Sequence, residues 1–490
     1  MTRLWLLVAM PTALGAQGWR ADLDVGMRTV AFRGVQLDSI DRTLLGPGAS
    51  PRTPDGYAVF CLTGTNRCTY YRPGAVVHAT PFSARFTGDA WGVGVRGLRV
   101  HLHARYVEDL AGEGAWPLAT PRLWLTEGYL ELARRSLTLR AGRTTMVSRL
   151  GWQGLDGAHA EVRLARGRLG AGAWGGWGLA EGVAQPVTSP ALNPLDEYQP
   201  RDRQLVAGAD LSWRLPRLRG RIVYQREVDP AVNYFISERA AGDVDLRVAR
   251  WASVNVGGEY DLAAGEWGSA DAAVGVRAPR GIRLTVGARR YRPYFPLWTV
   301  WGAFSPSPYH AAFGAVDLPL DRDLTAWVRG ERYVFGTSDA ATPLVRVEDR
   351  GWRWSGGASW VPVPSVRIEG SAHGAFGPGA AALGFDGLLG GRVRPNLDVT
   401  FRFGRLVRPL ELRYDEVDLW QAGGDVHWRL AERVAVTGGL TFVDEARERP
   451  DAAAFRWNQM RAHLGFRVGA GSGPGRSALP PAVLAMPEPR

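Results

Sequence analysis

Lysine is absent from all 490 residues, so arginine carries every side-chain positive charge apart from histidine. Cysteine occurs only twice, as Cys61 and Cys68 in "CLTGTNRC", without the nearby Cys or His partners that a metal site needs. In an oxidising compartment such a close pair is expected to form a loop disulfide. No stretch approaches the roughly 18 consecutive apolar residues of a membrane-spanning helix, and windows with apolar residues at helical spacing are almost missing. P-loop, G-x-S-x-G and H-E-x-x-H motifs are also absent. The formal charge of +11 comes from singly scattered arginines, with no basic run or recognition helix, which argues against a nucleic-acid partner. Nothing in the composition calls for a cofactor.

What the chain does have is glycine (62), tryptophan (20) and period-two alternation. "RQLVAGADLSWRL" (203–215), "DLTAWVRGERYVF" (323–335), "NLDVTFRFGRL" (396–406) and "ERVAVTGGLTFV" (432–443) alternate apolar and polar residues over 10 to 14 positions. Globular strands are usually five or six residues long, whereas a tilted strand crossing a bilayer needs about 9 to 11. Very short connections, such as Arg166-Gly167, Pro279-Arg280 and Pro395-Asn396, alternate with mostly longer ones. Short turns on one edge and long loops on the other define the expected fold class, an all-β, single antiparallel up-and-down transmembrane barrel with periplasmic turns and extracellular loops. Counting turns and loops gives about 22 strands, within a range of 18 to 22. The cause is physical: a bilayer core offers no partner to open backbone groups, so a crossing sheet must close on itself.

The start, "MTRLWLLVAMPTALGAQG", reads as a secretory signal peptide over residues 1–16, which sends the chain out of the cytoplasm to a bacterial outer membrane. The barrel is expected over 17–468, with a long disulfide-containing loop at 36–80 and a flexible tail at 469–490. Lipid and lipopolysaccharide are the expected surroundings, and nothing marks an oligomeric state.

Alternation assigns each strand two faces. The polar face carries the candidate pore-lining residues, close to balanced in sign: Glu127, Glu131, Arg140, Glu161, Arg163, Arg221, Glu227, Arg247, Arg283, Arg289, Arg329, Glu331, Arg367, Glu369, Arg402, Arg429 and Arg461. In a wide lumen such charges either stay hydrated or pair across strands as scaffolding. Trp352, Trp354, Trp360, Trp420, Trp428, Tyr291 and Tyr294 cluster near strand ends, where interfacial girdles lie.

Three features could carry more specific chemistry. Glu369, Ser371 and His373 alternate on one strand face, and a Ser–His pair two residues apart can approach hydrogen-bond reach. Their parity turns them to the lumen, away from lipid, which disfavours a hydrolase. His101 and His103 share a face but lack a third metal ligand. The loop aromatics Tyr294, Phe295, Trp298 and Trp301 could stack on sugar rings or pack against one another, and this loop or the Pro-rich segment 181–203 could fold inward and narrow the lumen.

Around "SLTLRAGRTTMVSRLGWQGLDGAHAEVRL" (136–164) the chain resembles bacterial outer-membrane porins, in particular phosphate-selective and alginate-export-type barrels. There an R-x-G-R strand, here Arg140, Gly142 and Arg143, precedes a D-G-A strand, here Asp156, Gly157 and Ala158. The resemblance implies a porin-like channel for passive passage of small polar solutes, with a polysaccharide exporter or glycan-assembly barrel as the alternative and no enzymatic role. The chain departs from such barrels in that "RAHLGFRVG" (461–469) is followed by a tail instead of ending on an aromatic residue. It also lacks a plug-sized segment ahead of the barrel, which argues against energised import.

Overall fold

The computed structural model describes residues 16–45, 51–57, 59–62, 64–111, 123–179, 204–230, 234–292, 308–336, 350–377, 382–408, 416–448 and 457–472. The strands in chain order begin with β1 (Gly18–Arg28), β2 (Val30–Asp41), β3 (Val59–Cys61), β4 (Arg67–Ala79), β5 (Pro81–Trp91), β6 (Leu98–Asp109), β7 (Leu123–Ala133) and β8 (Leu137–Ser148). Next are β9 (Gly151–Leu164), β10 (Leu169–Gly178), β11 (Leu205–Arg214), β12 (Leu218–Asp229), β13 (Tyr234–Ala249), β14 (Ala252–Asp261), β15 (Glu266–Arg277), β16 (Arg283–Tyr291) and β17 (Tyr309–Pro319). The last are β18 (Leu324–Phe335), β19 (Arg350–Val363), β20 (Val366–Phe376), β21 (Ala382–Arg394), β22 (Leu397–Arg408), β23 (Glu416–Ala431), β24 (Val434–Glu448) and β25 (Trp457–Ser472).

Twenty-two of these strands form one antiparallel sheet in which every strand pairs with its sequence neighbours. The ring closes because β1 pairs on one side with β5 and on the other with β25, where Asp24 stands opposite Arg467 and Val25 opposite Phe466. No helix of the described residues is long and apolar enough to cross a membrane. The short connections sit on the edge that also holds the start of β1 and the end of β25. At Arg280 (φ 59°) and Gly281 (φ 80°) both turn residues are left-handed, the geometry that matches the twist of paired strands.

Between β1 and β5 the chain builds a second, three-stranded sheet in the order β2-β4-β3. It lies on the edge of the long connections, and Cys61 and Cys68 face each other across β3 and β4 and form a disulfide. Residues 1–15 and 473–490, which hold most of the expected signal peptide and tail, lie outside the described residues.

Register separates the two faces of the large sheet. One face carries Leu205, Leu211, Ile222, Val256, Val274, Val286, Val328, Phe401 and Leu440, all exposed, and the other carries the charges. The apolar face is the outer wall. Trp352 and Trp420 stand near its long-connection end and Trp360 and Trp428 near its short-turn end, each roughly half exposed. The eight residue steps separating the members of each pair span ~26 Å of strand, or ~20 Å after a tilt of 35–45°, close to the ~25 Å apolar band of outer-membrane barrels. Tyr291, expected in this girdle, instead points inward and meets Tyr309, with ring centroids 5.6 Å apart. The reason is parity: it sits two residues from the inward-facing Arg289.

Val286→Arg, on the outer wall, is expected to cost about 2–4 kcal/mol of unfolding free energy in vesicles if it lies near the bilayer midplane. Thr285→Arg, one residue away on the inner face, is expected to cost well under half of that. Urea unfolding followed by tryptophan emission makes the comparison.

A charged constriction inside the barrel

The sheet does not stay in the wall everywhere. β7 stops pairing with β8 at Arg143, and β10 stops pairing with β9 at Leu155, yet β8 and β9 go on pairing with each other up to Ser148 and Gly151. Residues 144–154 therefore form a hairpin attached to the barrel only at its base, and this hairpin folds into the lumen.

Three glycines make the bend sterically possible. Gly142, Gly157 and Gly176 lie directly opposite one another on β8, β9 and β10. A Cβ on Gly176 would sit 2.4 Å from the Asp156 carbonyl oxygen and 2.6 Å from the Gly157 Cα, and one on Gly157 would sit 2.1 Å from the Gly175 carbonyl oxygen. Only glycine allows backbones this close.

The tip of the hairpin docks three to six strands away, on β12, β13 and β15. Leu150 and Met146 join Leu155, Trp174, Val223 and Ala241 in one buried apolar cluster. Around it lies a polar rim. Arg149 donates to Asp243 at 2.7 Å on β13 and to Asp271 on β15. The Val147 carbonyl accepts from Arg221 Nη1 at 3.0 Å and the Leu150 carbonyl from Arg239 Nη1 at 3.3 Å. Gln153 accepts from Gln225 at 3.4 Å. Burying Leu150 alone is worth about 1.5–3 kcal/mol, while solvated ion pairs contribute about 0–1 kcal/mol each. The apolar centre thus supplies the attraction, and the rim fixes where it lands. Arg239, Gln225 and Glu227 are almost fully buried beneath the hairpin, and each is satisfied: Arg239 bonds Glu259 at 3.0 Å, and Glu227 accepts from Gln204 at 3.0 Å and Gln225 at 2.8 Å. The docked hairpin thus lies against the inner wall as far as β15.

Register puts all seventeen candidate lining residues on the inner face. Many are paired. Arg140 binds Glu131 at 2.5 Å, Arg163 binds Glu161 at 3.0 Å, Arg221 binds Asp210 at 3.1 Å and Arg402 binds Asp425 at 3.1 Å. Arg289 is bonded to Glu331, and Arg367 to Glu369. Glu127 meets His101 at 3.2 Å, and Arg329 lies over the Trp327 ring at 5.2 Å. Arg247, Arg283, Arg429 and Arg461 form no ion pair among the described residues. Facing the hairpin, Arg353 packs over Tyr333 at 4.6 Å and over Tyr309 at 5.7 Å, with Arg289 also over Tyr309 at 5.7 Å.

His101 is clamped by Asp89 (2.7 Å) as well as Glu127, and His103 contacts Thr126 Oγ1 at 2.8 Å. No group of three potential ligands among the described residues is placed to hold a metal ion. Ser371 stands opposite Asp386, and His373 Nδ1 lies 3.8 Å from Asp386 Oδ2, but Ser371 and His373 are not hydrogen-bonded to each other. Tyr294, Phe295, Trp298 and Trp301, and segment 181–203, lie outside the described residues.

Arg149, Leu150 and Gly176 were not singled out from sequence, and Gly142 and Gly157 were named there only as motif positions. The row appears only once three strands are put in register.

No family model matches the chain, and no curated protein is similar to it in sequence. Among solved structures it is similar to a point mutant of the ferric enterobactin receptor PfeA from Pseudomonas aeruginosa in complex with enterobactin. The TM-score is 0.55 with 9% identity, covering 93% of this chain and 82% of that one. It is more distantly similar to the siderophore receptor PirA from Acinetobacter baumannii (TM-score 0.47, 9% identity, 92% and 80% covered). For OpdK with vanillate, from Pseudomonas aeruginosa, the TM-score is 0.37 with 9% identity, covering 92% and 99%. Likeness at this identity is one of fold: the chain has the architecture of an outer-membrane β-barrel.

Gly176→Val is expected to push the hairpin off the wall, because the clash is with backbone and overpacking of this kind costs about 1–3 kcal/mol. A Leu150→Cys/Ala241→Cys pair, which should cross-link readily in the parent protein, is then expected to do so ~10-fold less, as read by mass spectrometry.

Proposed function

We propose that this chain is an outer-membrane channel that passes small polar solutes without an energy source, through a lumen narrowed by the β8–β9 hairpin. The observation that carries this reading is the docked hairpin itself. A ring of 22 strands with a charged inner face is wide enough to hold a water-filled bore, which a hairpin anchored by an apolar cluster and a rim of arginines would turn into a passage of limited width. Segment 136–164, whose pattern resembles phosphate-selective and alginate-export-type barrels, is the segment that builds the hairpin, which supports a kinship with porins at the level of mechanism. Paired charges on the remaining wall favour passage of hydrated polar solutes over apolar ones, because each charge keeps its water or its partner. The polymer-export alternative rested on aromatics outside the described residues and gains no support from the described wall.

Planar-bilayer recording tests the reading. The parent protein is expected to give discrete, steady conductance steps without any energy source. Replacing residues 145–153 by a two-residue Asn-Gly turn is expected to raise the conductance several-fold and weaken discrimination by solute size. Absence of conductance in both proteins would sink the channel reading, and equal conductance in both would remove the hairpin from it.

A further inference from the structure

The outer wall carries few charges, and near its long-connection end they are typically matched. Arg143 binds Asp156 at 2.7 and 2.8 Å, Arg405 binds Asp418 at 2.9 and 2.7 Å, and Glu238 accepts from the Tyr224 hydroxyl at 2.5 Å. One patch breaks this pattern. Arg290 on β16 lies opposite His310 on β17, and Arg332 on β18 lies opposite Ala312, two residues further along β17. All three side chains are on the outer face, and Arg332 is in turn directly opposite Trp352 of the aromatic girdle. Register places no acidic residue on the outer face of β16 to β19 among the described residues, and Glu266 at the start of β15 is taken up by Arg292. Arg290 and Arg332 have no ion-pair partner there, and Arg290 Nε is buried without a hydrogen-bond partner.

Beside this patch the wall is hollow. Ala270, Ala272, Ala288 and Ala312 floor a groove of about 950 Å³ bounded by Tyr260 and Trp267. Two uncancelled guanidinium groups at the edge of an apolar surface call for an anion, and their planar forks match phosphate oxygens. The groove below them is shaped for an apolar chain. A ligand satisfying both needs an anionic phosphate head joined to a hydrocarbon tail, and it must approach from the membrane side.

We infer that Arg290, His310 and Arg332 hold the phosphorylated headgroup of an outer-leaflet glycolipid, with one acyl chain lying along the alanine groove. This rests on the placement of the barrel in an outer membrane and not on whether it conducts.

Native mass spectrometry of the full chain in mild detergent tests it, with a bis-phosphorylated glycolipid, the same lipid after phosphatase treatment, and inorganic phosphate as probes. The parent protein is expected to retain one phosphorylated lipid. The Arg290→Gln/Arg332→Gln variant, verified as folded by its heat-dependent gel mobility, is expected to retain it ~10-fold less. Arg405→Gln, at a matched outer charge, should behave like the parent. Equal retention of the dephosphorylated lipid, undiminished retention by the double variant, or displacement of the lipid by millimolar inorganic phosphate would each overturn the site. A protein that binds the lipid yet conducts nothing would count against the channel reading alone.

Discussion

The whole structure depends on one junction: the pairing of β1 with β25, which joins residues more than 400 positions apart in the chain. An open 22-strand sheet would present two rows of unpaired N–H and C=O groups to hydrocarbon, each costing several kcal/mol. Closing the ring removes every edge at once, and nothing less than closure does so. The remaining features follow from it. Side chains alternate between a lipid phase and a water phase because a closed sheet has only an outside and an inside. The charges are tolerated inside because they stay hydrated or find partners on the next strand.

Closure also creates a difficulty. A ring of this circumference encloses a bore too wide to be filled by wall side chains, so any selectivity must come from chain that leaves the wall. Here the strands that leave are β8 and β9, and they keep pairing with each other, so the inserted element carries one row of backbone hydrogen bonds with it, while Arg221 and Arg239 take up the Val147 and Leu150 carbonyls. What holds it is a small apolar cluster standing in an otherwise polar interior. Leu155, Val206 and Val223 are fully buried on the inner face, where alternation alone would call for polar side chains. Those apolar residues on the wet face mark where the hairpin lands.

Much of this was legible beforehand. The alternation in segments such as 323–335 and 396–406, together with Arg-Gly and Pro-Arg turns, sets strand length, face and connection pattern, because period two is a local property of the chain. The inward hairpin was not legible, since residues 144–154 read as one of the longer connections and nothing local marks a connection that turns into the lumen. The glycine row needs the register of three strands, and register is a non-local property. Tyr291 was placed in the girdle by residue type, whereas its distance from Arg289 decides its face. Segment 36–80 read as loop because Gly and Pro interrupt it, yet its ends continue β1 and β5 into a separate sheet.

The most direct test of closure is a cross-link across the junction. In protein reconstituted into vesicles, Val25→Cys and Phe466→Cys, which stand opposite each other on the outer wall, should form a disulfide in most molecules. The product should run as an intramolecular species on a non-reducing gel even after boiling. Failure of this pair to link, in protein that is otherwise inserted and resistant to protease, would contradict the closed ring and the constricted bore built on it.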